Sequence, residues 1–75
     1  MAQYLSLGGP SGITTYEISD DSITVGFKNG SLYLYNYTKP GRVHVEEMKK
    51  LAQAGQGLNS YIDKHVRKNY AAKVR

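Results

Sequence analysis

The chain has 75 residues, of which 40% are hydrophobic, with seven tyrosines, no cysteine and a formal net charge of +4. That length allows one domain with a thin core, and the apolar fraction excludes wholesale disorder. The lack of cysteine excludes a disulfide framework, a thiolate zinc site and a cysteine nucleophile, and no run is long and apolar enough for a membrane span or a signal-peptide core.

Residues 1–12 end in Gly8-Gly9-Pro10-Ser11-Gly12, a cluster that punctuates the chain and predicts a flexible N-terminal arm. Ile13-Thr14-Thr15-Tyr16-Glu17-Ile18 is β-branched and aromatic and predicts a first strand. Ser19-Asp20-Asp21-Ser22 follows as a turn, since Asp and Ser side chains bond nearby amides.

Two alternating runs come next, Ile23–Lys28 and Ser31–Tyr37, separated by Asn29-Gly30. Asn-Gly between alternating runs predicts a two-residue hairpin, because both turn positions need positive φ. That turn would set Lys28 opposite Ser31, Phe27 opposite Leu32, Gly26 opposite Tyr33, Val25 opposite Leu34 and Thr24 opposite Tyr35. Side chains alternate across a sheet. Ile23, Val25, Phe27, Leu32 and Leu34 would then share one face, expected as the core. Thr24, Gly26, Lys28, Tyr33, Tyr35 and Tyr37 would share the other.

Lys39-Pro40-Gly41 breaks the sheet pattern. Arg42 to Ala54 has helical spacing, with Val45, Met48, Leu51 and Ala52 in one stripe and Gly55 placed to end the helix. A second helix is expected from about Leu58 to Lys68, with Leu58, Tyr61, Ile62, either His65 or Val66, and Asn69 in its stripe. The fold expected is α+β: a three-stranded antiparallel β-meander followed by two short α-helices packed on one face. Residues 13–70 would form that domain, and 71–75 a basic C-terminal tail.

Phe27, Gly30, Tyr33 and Tyr35 form a Phe-x-x-Gly-x-x-Tyr-x-Tyr element with Pro40 after it, and Gly55 or Gly57, Leu58-Asn59, Ile62 and Tyr70 form a second element. By these two elements residues 13–70 resemble the KTSC domain family, named for a lysyl-tRNA synthetase C-terminus. Ala52-Gln53-Ala54 stands where the family often has a Ser before the glycine, and the Ile62-to-Tyr70 spacing is about a helical turn longer. The resemblance implies a β-meander with helices and no established activity, and its name hints at tRNA.

Three groups of residues bear on function. Tyr33, Tyr35 and Tyr37 with Lys28 make an aromatic, basic strand face of the kind on which single-stranded bases stack. The same tyrosines also suit a protein or homodimer interface, or plain structure, since tyrosine favours strands. Basic residues crowd the last third. Lys64, Arg67, Lys68 and Arg75 have only Asp63 as a near acid and suit phosphate, whereas Glu46 can satisfy Lys49 and Lys50 by helical pairing. His44 and His65 lack metal-ligand spacing; a two-histidine site with Asp63 or Glu46 is conceivable, but His65, at the edge of an apolar stripe, is expected instead as a partly buried, hydrogen-bonded histidine, and no catalytic triad, metalloprotease motif or phosphate loop stands out. The expectation is a cytoplasmic, non-catalytic binding module with no cofactor, metal, membrane or small-molecule substrate. Its partner would be single-stranded nucleic acid or tRNA through Lys28, Tyr33, Tyr35, Tyr37, Lys64, Arg67 and Lys68. The alternative is a protein partner or homodimer.

Overall fold

A computed structural model describes residues 1–9 and 11–75; Pro10, part of the glycine-rich punctuation, lies outside the described residues. The elements are β1 (Ala2–Gln3), β2 (Ile13–Ser19), β3 (Ser22–Phe27), β4 (Leu32–Asn36), α1 (Arg42–Ala54), α2 (Leu58–Tyr61) and β5 (Ala72–Lys73). The strands form one antiparallel sheet in the order β1-β2-β3-β4-β5. The expected meander is its centre, and both chain ends widen it to five strands. The residues expected as a loose arm thus supply β1 and the buried Tyr4, whose hydroxyl accepts a hydrogen bond from the Leu58 amide at 3.2 Å. Those expected as a basic tail supply β5.

Asp20-Asp21 joins β2 to β3 as a two-residue turn between the paired Ser19 and Ser22. The β3–β4 turn differs from expectation. Phe27 donates to the Ser31 carbonyl at 2.9 Å, and Gly30 donates to the Phe27 carbonyl at 2.9 Å. The loop is therefore Lys28-Asn29-Gly30, with Gly30 at φ 89°, the three-residue hairpin in which a left-handed residue follows a tight turn. Asn29 accepts from the Ser31 amide at 3.0 Å, a local bond that holds this turn.

The extra loop residue moves the register by one. Gly26 pairs with Leu32, Val25 with Tyr33, Thr24 with Leu34 and Ile23 with Tyr35. A one-residue slip exchanges the faces of a whole strand. The core face carries Ile23, Val25 and Phe27 with Tyr33 and Tyr35; Leu32 and Leu34, expected inside, lie half-buried on the opposite face beside Thr24 and Gly26. The expected split into an aliphatic face and a tyrosine face is corrected accordingly.

α1 begins and ends where its spacing predicts, and Gly55 closes it in a left-handed conformation at φ 76°. Val45, Met48 and Ala52 are buried against the sheet, and Leu51 packs at the edge of that cluster. Each fully buried side chain of valine or methionine size contributes about 1.5–3 kcal/mol. That stripe therefore outweighs the weak helix propensity of Val43, His44 and Val45. The second helix starts at Leu58 as expected, but after α2 it continues as a π-helix over Ile62–Val66. Leu58, Ile62 and Val66 are buried, so of His65 and Val66 it is Val66 that faces the core. Val45 and Met48 of the first helix and Leu58, Ile62 and Val66 of the second segment share one buried cluster with Ile23, Val25 and Tyr35 of the sheet, and among the described residues no helix is long and apolar enough to cross a membrane.

Candidate functional site

A groove of about 400 Å³ opens between the β3–β4 hairpin, β4, the π-helix and Tyr70. Its floor is aromatic. Phe27 meets Tyr33 edge to face at 5.6 Å, Tyr33 meets Tyr70 at 4.7 Å, and Tyr70 meets Tyr35 at 6.4 Å. The register explains this run, since it points Phe27, Tyr33 and Tyr35 toward the helices. Tyr70 closes it because β5, immediately afterwards, pins the chain beside β4.

Tyr35 is only 1% exposed and belongs to the core, so the reading of Tyr33, Tyr35 and Tyr37 as one open stacking face does not hold. Its ring nevertheless reaches the groove wall. Burial, with Tyr33 and Tyr70 adding smaller contributions, pushes its phenol up to about 12. Tyr33 is half-buried, and the Lys73 ammonium lies 5.8 Å from its ring centroid.

One wall is charged. Asp63, Arg67 and Lys68 all line the groove, beside the apolar Ile62. Asp63 lies in the π-helix, and Arg67 and Lys68 follow directly after its end, so the three come from one short stretch of chain. Among the described residues the one ion pair is Lys49–Glu46 at 2.8 Å, so this wall is not internally neutralised.

The remaining residues singled out in the sequence lie elsewhere. Tyr37 sits in the turn after β4, where its hydroxyl bonds Glu46 at 2.7 Å and lies 3.0 Å from the Asp20 carbonyl oxygen. Its phenol is raised chiefly by the bond to Glu46, and the Glu46 carboxyl is lowered chiefly by Lys49. Arg42 and Lys49 flank the Tyr37 ring at 5.7 and 5.6 Å, making this a surface clamp between the sheet and α1. Lys28 is on the hairpin loop and Lys64 on the exposed side of the π-helix, and neither lines the groove. Sequence reasoning missed Phe27, Asn29, Asp63 and Tyr70 as site residues. The family-like pattern contained Phe27 and Tyr70, but no spacing rule placed them together.

A second cluster joins His44, Tyr61 and His65, the last of which is exposed rather than partly buried as expected, because Val66 takes the core position beside it. His44 Nδ1 and the Tyr61 hydroxyl are 2.7 Å apart, and the Tyr61 and His65 rings lie 4.5 Å apart. Burial, then the charge of Glu47, raises the Tyr61 phenol. Among the described residues no group of three or more His, Cys, Asp or Glu could hold a metal ion.

Fold and site together define a small α+β domain with an aromatic, basic groove where the helices meet the sheet. Searches of family models, curated proteins and solved structures find no match to the chain.

Proposed function

We propose that this chain is a non-catalytic module that binds single-stranded nucleic acid in the groove. The observation that carries the reading is the convergence of Tyr33 and Tyr70 with Arg67 and Lys68 on one opening. Aromatic rings accept any base by its π-face, and neighbouring guanidinium and ammonium groups take the phosphates. The volume suits one ligand of nucleotide size rather than a long strand laid flat. The site differs from the one expected on the sheet: it keeps Tyr33, Arg67 and Lys68, uses Tyr35 as a supporting wall, and leaves Lys28, Tyr37 and Lys64 outside. The KTSC resemblance agrees with a link to tRNA.

The test is an NMR titration of the full chain with a short single-stranded RNA at low and moderate salt. Amide shifts should concentrate at Tyr33, Asp63–Lys68 and Tyr70, and affinity should fall steeply with salt through counterion release. Replacing both Arg67 and Lys68 by alanine should flatten that salt dependence by about two phosphate contacts. Shifts confined to other surfaces, or affinity indifferent to salt, would instead favour a protein partner.

A further inference from the structure

Asp63 is out of place in a site built only for phosphate. A carboxylate beside Arg67 and Lys68 repels a polyanion, yet it lines the groove with them, and no ion pair among the described residues engages it. Resting on the reading above, we propose that Asp63 makes the groove selective for guanine, accepting hydrogen bonds from the base's N1–H and exocyclic N2 amine.

The chemistry singles out this base. A carboxylate offers two acceptor oxygens side by side and no donor. Guanine alone among the common bases presents two adjacent donors on its Watson–Crick edge. Adenine and cytosine present one amine beside a ring-nitrogen acceptor, and uracil presents one N–H between two carbonyls. Each of those sets a lone pair against the carboxylate. The hairpin side of the groove holds Asn29, whose Oδ1 is already used by the Ser31 amide. Its amide NH2 remains as a donor for guanine O6. Tyr33 and Tyr70 supply the apolar contact for the base, and Arg67 and Lys68 its phosphate.

The experiment measures binding of GMP, IMP, AMP, CMP and UMP to the full chain by calorimetry or NMR. Two single strands are added, one of uracil alone and one of uracil with a single guanine. GMP should bind on the order of tenfold or more tighter than AMP, CMP or UMP. IMP, which lacks the N2 amine, should fall between. The exposed substitution Asp63→Asn should bring GMP down to the level of AMP while the other nucleotides bind equally or better, because a negative charge has gone. The guanine strand outcompeting GMP identifies nucleic acid as the source of the base, and the reverse identifies a free nucleotide; both uphold the guanine assignment. Equal affinity for all bases overturns the guanine inference while leaving the nucleic-acid reading intact. Failure of every nucleotide and strand to bind overturns both.

Discussion

Tyr35 shows how one side chain serves stability and site together. Its ring fills the core between Ile23 and the helices, and its edge helps to wall the groove. Tyr35→Ala should cost about 3–5 kcal/mol in a urea melt, the range for losing a buried aromatic. A small domain has only about 5–15 kcal/mol in hand. A loss within the roughly 0.2–1 kcal/mol of an exposed cross-strand pair would place the ring outside the core. The phenol adds a pH dependence. Its folded pKa, about 12, lies above the unfolded value of 10.0, so the folded state holds the proton more tightly. Stability is full below the unfolded value. It declines as pH rises through the window from about 10 to about 12, by at most about 1.4 kcal/mol per pH unit. Tyr35→Phe should remove that part of the alkaline loss, so the melting midpoints of the two proteins should follow different slopes in this window. On the other sheet face, Gly26 has no room for a side chain: a Cβ there would collide with Thr15 Oγ1 and lie 3.0 Å from Leu32 Cδ2. Gly26→Ala should therefore destabilise the sheet, and adding Thr15→Ala should recover part of the loss. Additive effects in that double-mutant cycle would show that the two positions do not press on each other.

At the scale of elements, what the sequence reveals depends on whether the signal is local. The spacing of Val45, Met48 and Ala52 and the glycine at 55 mark α1 from end to end, because both its stripe and its stop are written within the helix. Asn29-Gly30 marks a hairpin just as clearly, but does not choose between two closely related loops. Asn29 and Gly30 fit a two-residue turn with positive φ at both positions. Gly30 alone fits the three-residue turn, and the burial of Tyr33 and Tyr35 against the helices decides in its favour. That choice is tertiary, and it decides every face assignment in β4. The π-helix is equally hidden, since Leu58, Ile62 and Val66 fit an ordinary helical stripe. A pair of deletions tests the hairpin. Removing Lys28 leaves Phe27 and Ser31 paired across Asn29-Gly30, so the protein should fold with Ile23 still opposite Tyr35. Removing Ser31 should instead bring Leu32 opposite Phe27, turn both tyrosines outward and abolish cooperative folding. Cross-strand NOEs and urea melts distinguish the two, and the opposite pattern would reinstate the two-residue turn.

At the scale of the whole molecule, the chain ends close both the sheet and the groove. β1 leads into Tyr4, which reaches the amide of Leu58 at the start of α2. β5 holds Tyr70 against Tyr33 and Tyr35. Composition gave no warning of this, because two-residue strands have too little sequence to show alternation. Their pairing follows from the edge of a sheet that the rest of the chain has already built. The two contributions of the C-terminus can be separated by truncation. Removing residues 71–75 deletes β5 and its backbone bonds, including Ala71 to Leu34 at 2.8 Å and Val74 to Leu32 at 2.7 Å. Each such bond contributes roughly 0.5–1.5 kcal/mol, so the shortened protein should stay folded with a lower urea midpoint. Removing Tyr70 as well uncovers the rings of Tyr33 and Tyr35 and forfeits aromatic contact on top of the hydrogen bonds; because Tyr70 is only half-buried, the further loss should fall below the roughly 3 kcal/mol of a fully buried aromatic. The shorter truncation should retain RNA binding, weakened by the loss of the positive charges of Lys73 and Arg75. The longer one should lose it, because one wall of the groove has gone. Coincident melts for the two truncations would show that Tyr70 seals nothing, and the groove would then have to be drawn without it.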